Sequence, residues 1–208
     1  SDDLSWWSNN EIDVWRRACL FDDLYSFDQK SNIKAEVALL KSEIILKKAI
    51  KSLDLRVQYF SEGEILSRNI YKSSPFIISN LILKDSSFMN KNIYVRLENN
   101  KLKLTDESGT ISYAKYVVPN KFFSSTYFSG KIEIDDFQNF SKLLKSNIYY
   151  FKISDLKIVK DEIAKDLVVS ILDYSANTIS ISHSNSNPKI SSDICNQLAK
   201  EYIDYSLE

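Results

Sequence analysis

The chain reads as an α+β protein in which helices pack on one face of a mixed sheet, with an antiparallel β-sandwich or jelly-roll-like domain inserted into that base. Three observations predict it. Residues 31–60 carry a helix-period apolar pattern that gives way to a strand, residues 187–208 carry a second helical pattern with its own start signal, and residues 76–134 carry short apolar runs broken by turn residues. With 208 residues, 44% hydrophobic and 12% aromatic, there is enough apolar material for a sizeable core. The expected division is a base of residues 11–60 with 146–208, an inserted β domain of 61–145, and a linker of 1–10.

The first ten residues have turn chemistry around Trp6 and Trp7, a pair suited to plugging a core or to a membrane interface, with plugging preferred. Ile12, Val14, Cys19 and Phe21 make 12–21 a strand, and Arg16 with Arg17 marks an edge or bulge in it. Residues 22–29 form a loop. Ile33, Val37, Leu40 and Ile44 then recur at four- and three-residue steps among Lys34, Glu36, Lys41, Glu43, Lys47, Lys48 and Lys51, one face of a single long helix capped by Ser31 or Asn32. Burying that face is worth a gross ~6–12 kcal/mol, and it needs a sheet to lie on. At Asp54 the pattern turns to the alternating Leu55, Val57 and Tyr59, so the helix feeds a strand.

Residues 61–75 are polar and turn-rich. Strands follow at 76–78, 81–83 and 93–97, the last returning through Leu102 and Leu104 across Asn99 and Asn100, which tolerate the positive φ of a tight hairpin turn. A second turn at 106–109 leads to strands at 111–118, 122–128 and 131–134, with Gly130 separating the last two. Phe137, Phe140 and Leu144 restore a helical step, 149–154 is a strand, and 155–165 is a helix capped by Asp155. Leu167, Val169 and Ile171 pair with Ile179 and Ile181 across the turn 173–177. Finally Asn187 caps a helix with Pro188 at its first position and Ile190, Ile194, Leu198 and Tyr202 as its stripe. That pattern is still in register at Glu208, so the natural chain is expected to continue.

Twenty-seven basic residues against 28 acidic ones leave a net charge of −1, which gives no global electrostatic case for nucleic acid or an anionic membrane surface. Three glycines and three prolines leave no Gly-rich loop for phosphates. No apolar run approaches the ~18–20 residues of a membrane span and no signal peptide is read, so the chain is expected to be soluble as it stands. Cys19 and Cys195 read as two small buried hydrophobes, with one disulfide open as the alternative in an oxidising compartment. His183, the sole histidine, is expected on the surface at a strand end. Asp22 with Asp23, and Asp135 with Asp136, read as turns and caps rather than cation sites. No catalytic set, metal or cofactor is expected. Tyr113, Tyr116, Phe122, Phe123, Tyr127 and Phe128 are read first as core and second as a sugar-stacking surface, for which Tyr113, Tyr116 and Tyr127 are the candidate contacts. Lys47, Lys48 and Lys51 read as a solvated helix face, with anionic head groups or a neighbouring subunit as the alternative.

The run LLKSEIILKKAIKSLDLRVQYFSEGEI at 39–65, with YKSSPF at 71–76, resembles the periplasmic region of chain-length determinant proteins of the Wzz type, closest to the Wzc-like polysaccharide co-polymerases associated with a tyrosine autokinase. Asn187-Pro188 with DICNQLA at 193–199 and EYIDYSLE at 201–208 resembles the segment that in that family opens the long helices toward the second membrane span. The two blocks cover about a third of the chain, and the β region matches only in kind. The resemblance implies an inner-membrane protein, anchored by helices flanking this segment, with 1–10 juxtamembrane on the periplasmic face. It also implies a homo-oligomeric ring that works with a polysaccharide and its polymerase or export machinery to set the length or export of capsule, exopolysaccharide or O-antigen. This segment is then a non-enzymatic scaffold, any kinase lying in a cytoplasmic domain. The alternative is a carbohydrate-binding module using the inserted β domain. A hydrolase stands third, requiring paired carboxylates in one cleft.

Overall fold

The computed structural model of the chain describes residues 19–20, 32–63 and 66–207. The Trp6–Trp7 pair, most of the strand expected at 12–21, the loop at 22–29 and the Ser31 cap lie outside the described residues. The α+β class holds, and among the described residues every strand pairing is antiparallel where a mixed sheet was expected.

The single long helix expected from residue 31 is two helices, α1 (Asn32–Leu40) and α2 (Glu43–Ser52). Ser42 makes the break. Its N–H donates to the Leu39 carbonyl at 2.9 Å, a three-residue closure that tightens the end of α1. Its Oγ then accepts from the Ile45 N–H at 3.4 Å, capping α2. The extra rotation re-aims the stripe: Ile33 and Leu40 are buried as expected, but Ile44 is 52% exposed and Ile45, Leu46, Ala49 and Ile50 go inside instead.

The chain divides into two compact units, 1–46 with 163–208 and 47–162, the divisions falling inside α2 and inside α4 (Leu156–Asp166). In the first unit a three-stranded sheet runs in the order β1 (Cys19–Leu20), β12 (Thr178–His183), β11 (Leu167–Asp173). The β11–β12 hairpin has the register expected, Val169 opposite Ile181 and Ile171 opposite Ile179. Its turn is held by the Asp173 carboxylate, which accepts from the Ser175 N–H at 2.7 Å, and by Asn177 at φ 52°. Leu167, Val169, Ile179, Ile181 and His183 face inward, while Val168 and Leu172 are exposed. Helix α5 (Pro188–Ser206) starts where Asn187 accepts from the Lys189 N–H at 3.0 Å, packs on β12, and buries Ile190, Ile194, Cys195 and Leu198. Helix α1 packs on β11 and on α5.

The second unit is a sandwich. A six-stranded sheet runs in the order β3 (Ser67–Asn69), β2 (Val57–Glu62), β10 (Ile148–Ile153), β5 (Asn92–Glu98), β6 (Lys101–Thr105), β7 (Ser112–Val117). A three-stranded sheet runs β4 (Ile77–Leu83), β9 (Phe128–Glu133), β8 (Phe122–Ser124). Both sheets feed one core, with Val57, Ile93, Val95, Leu102, Leu104 and Phe151 from the larger and Ile78, Phe128 and Ile132 from the smaller. Helix α3 (Phe137–Ser146), capped by Asp136 on the Asn139 N–H at 2.9 Å, adds Phe140. Phe151 meets Phe128 edge-on at 6.3 Å and 89°. The buried Tyr59 hydroxyl accepts from the Ile78 N–H at 2.9 Å, tying β2 to β4, and burial pushes its pKa up to about 12.

This unit is wider than the 61–145 insertion expected. Strands β2 and β10, read from sequence as parts of the base, pair along their whole length from Ile148 opposite Glu62 to Ile153 opposite Val57, and β10 pairs with β5 on its other side. They are interior strands of the sandwich. The stretch 61–75, read as polar and turn-rich, is partly strand, since Ser61 stands opposite Arg68 and Glu62 opposite Ser67 in a β2–β3 pairing. The runs at 76–78 and 81–83 are one strand, bulged between Ser79 and Ile82 with Asn80 at φ 51°. Gly130 does not separate two strands but lies inside β9, where a Cβ would stand 3.2 Å from the Ser79 carbonyl oxygen of that bulge, a close approach that glycine permits. The Asn99–Asn100 turn is as expected, with φ of 50° and 58°.

Candidate functional site

The three tyrosines proposed as sugar contacts part company. Tyr113 and Tyr127 close around Phe88, Tyr127 stacked on it at 4.1 Å and Tyr113 edge-on at 4.7 Å, and both are half-buried against the core. Their ring area is spent on packing. Tyr116 is 62% exposed. It has φ of 61° in the β-bulge where β7 gains a residue over β6, between the pairs Leu104–Ala114 and Leu102–Val117. Phe122, in β8, is 60% exposed, whereas Phe128 is fully buried.

Beside Tyr116 is a shallow pocket of about 100 Å³ lined by Glu98, Lys101, Leu102, Lys103, Lys115 and Tyr116. Lys101 Nζ lies 5.0 Å from the Tyr116 ring centroid, and Lys103 pairs with Glu98 at 3.0 Å. The Asn99–Asn100 turn builds the site locally, setting Lys101 opposite Glu98, while the alternation of β6 puts Lys101 and Lys103 on one face with Leu102 and Leu104 on the other. Period-two lysines after an Asn-Asn turn were a signal in the sequence that pointed to this face; what brings Lys115 and Tyr116 beside them is the bulge, which leaves no such mark.

A wider cleft of about 270 Å³ opens where β2 begins and β10 ends, lined by Asp54, Arg56, Val57, Ile78, Asn80, Leu81, Leu83 and Ile153. Asp54, Arg56 and Asn80 supply its polar groups among aliphatic side chains. Arg56 Nε donates to the Ser154 carbonyl at 3.4 Å, and partial burial raises the Asp54 pKa, with the Arg56 guanidinium pulling it down again.

His183 is not at the surface. It is 2% exposed, with Nδ1 3.4 Å from Oγ of Ser191, itself 1% exposed on α5. Burial lowers its pKa and the nearby Asp166 carboxylate opposes that. Serine, histidine and aspartate are thus gathered, but both Ser191 and His183 lie inside the unit, so the set is an internal strut between β12 and α5. Asp136 serves as the α3 cap, as expected. Among the described residues no group of three His, Cys, Asp or Glu side chains could hold a metal ion, and no helix is long and apolar enough to cross a membrane. Cys195 is fully buried.

By fold the chain is an α+β protein. No protein-family model matches it, and no curated protein matches it.

Proposed function

We propose that this chain is the periplasmic part of an inner-membrane polysaccharide co-polymerase of the Wzz type, of the tyrosine-autokinase-associated kind, acting as a non-enzymatic scaffold that sets the length or export of a surface polysaccharide. One observation carries it: α1 (Asn32–Leu40), at whose end the first block of resemblance begins, packs within the first unit on α5, which holds the second block, and burial and the Glu36 carboxylate raise the pKa of Tyr202. A domain tethered to one membrane from both sides is expected to bring its early and late segments together, and β1 and α1, early in the chain, share one unit with α5, late in it. Subunits assembled through the flanking membrane helices would then hold their sandwiches as spacers beside the growing glycan and its polymerase. The second reading, a carbohydrate-binding module, draws on the exposed ring of Tyr116.

The test is removal of the full-length protein from its own cell, with the size distribution of the surface polysaccharide read on a gel. Loss of the polymer or of its modal length is expected, restored by the full-length protein. An unchanged distribution overturns the proposal. The mass of the detergent-extracted full-length protein beside this segment reports on the ring, and monomers in both cases overturn the oligomeric part.

A further inference from the structure

The β6–β7 pocket combines three features that packing does not explain. Tyr116 is a bulky residue held in the left-handed region, which Gly or Asn would occupy at lower cost, and the bulge that holds it there turns the ring out to solvent. Around it stand three ammonium groups and one carboxylate. The carboxylate of Glu98 is taken by Lys103 at 3.0 Å. Among the described residues Lys101 and Lys115 have no carboxylate within ion-pair distance, so the pocket carries two uncompensated positive charges beside an exposed aromatic face. Strained backbone of this kind clusters at binding and catalytic sites, and here it coincides with an exposed ring and a local excess of positive charge.

We propose that this pocket binds an acidic sugar residue, a hexuronate within an anionic polysaccharide, with its carboxylate between Lys101 and Lys115 and the C–H face of its ring on Tyr116. An aromatic face selects a ring and two ammonium groups select a carboxylate, so neither a neutral sugar nor a bare anion satisfies both. At about 100 Å³ the pocket admits the carboxylate end of one residue and leaves the rest of the chain across the sheet face. The balanced net charge of −1 makes the attraction local to this face, which favours a glycan read residue by residue over a nucleic acid drawn to a basic surface. That the natural ligand is polysaccharide rests on the function proposed above; the ring and charge chemistry of the pocket does not.

The experiment is calorimetric or NMR titration of the 208-residue protein with an oligogalacturonate, with the same oligomer fully methyl-esterified, and with inorganic phosphate as competitor. Binding of the acid oligomer is expected, weakened about tenfold or more by esterification, weakened as much by Tyr116→Asn or by Lys101→Ala with Lys115→Ala, and falling with added salt. Asn is suited to positive φ, so Tyr116→Asn removes the ring while keeping the bulge, and unchanged thermal unfolding of that variant certifies the fold. Absent binding, equal binding of the two oligomers, undiminished binding by Tyr116→Asn, or displacement by an equal concentration of phosphate each overturns the site. An altered polysaccharide length in cells together with any of those results overturns the pocket alone, and normal length with selective binding overturns the co-polymerase function alone.

Discussion

Lowering the pH from about 7.5 to about 5.5 charges an imidazole that the native interior holds neutral. His183 is 2% exposed beside Ser191, and burial lowers its pKa from the ordinary 6.5 against the pull of Asp166. The unfolded chain therefore takes up the proton first as pH falls. Stability from the neutral ring is complete above the unfolded pKa of 6.5, declines as pH falls through it, and levels off once the folded-state pKa is passed. If the folded ring takes up no proton over that range, the unfolded-state protonation alone removes about 1.4 kcal/mol, a ceiling set by one proton at 1.36 kcal/mol per unit. Urea unfolding at a series of pH values, followed by far-ultraviolet circular dichroism, measures it, with His183→Gln as reference. The variant starts lower because its amide replaces a fitted ring, but its curve should be flatter across this window. Asp85, Asp106, Glu133 and Asp173 have pKa values lowered by hydrogen bonds, so their losses begin at more acid pH and are common to both proteins. Parallel curves for wild type and variant would refute the buried neutral histidine.

Two further perturbations read the joints of the fold. Tyr59→Phe removes the acceptor of the Ile78 N–H at 2.9 Å and should cost about 1–3 kcal/mol in equilibrium unfolding, since a buried donor loses its partner; a loss near zero would mean that the two sheets do not depend on that tie. Asn187→Ala deletes the side-chain acceptor for the Lys189 N–H at the start of α5 and should cost about 1 kcal/mol, whereas Asn187→Asp should be neutral or better; an unaffected midpoint in the alanine variant would contradict the cap.

What the sequence made legible was local chemistry. Asn187-Pro188, Asp136, Asp155 and Asn99-Asn100 act through neighbours one to three residues away, and each sits where its side chain or φ preference places it. The alternation of Leu167, Val169 and Ile171 against Ile179 and Ile181 fixed a register for the same reason. Illegible features depend on partners far along the chain. Ser42 is an ordinary polar residue within a helical run, and the break there shows only in which apolar side chains found a core, Ile45 rather than Ile44. His183 was read as exposed because nothing in its neighbours Ser184 and Asn185 announces α5 lying over it. Strands β2 and β10 look like continuations of their neighbouring helices until each is seen to be the other's partner, 98 residues apart at Arg56 and Ser154. Of the three candidate tyrosines, alternation could not separate Tyr116 from Tyr113, because the bulge that turns the former out is a property of pairing with β6.

The same bulges bear on the open margins of the sandwich. Each sheet of that unit ends in two strands with unpaired backbone groups along one side, a template for uncontrolled growth by strand addition. On the six-stranded sheet one border, β3, is three residues long and the other, β7, is bulged at Tyr116; on the three-stranded sheet β8 is three residues long and β4 is bulged at Asn80. Short length at β3 and β8 and a bulge at β4 and β7 each work against a long foreign strand pairing in register. Strand addition at the margins of the sandwich is thereby disfavoured by strand length and backbone geometry.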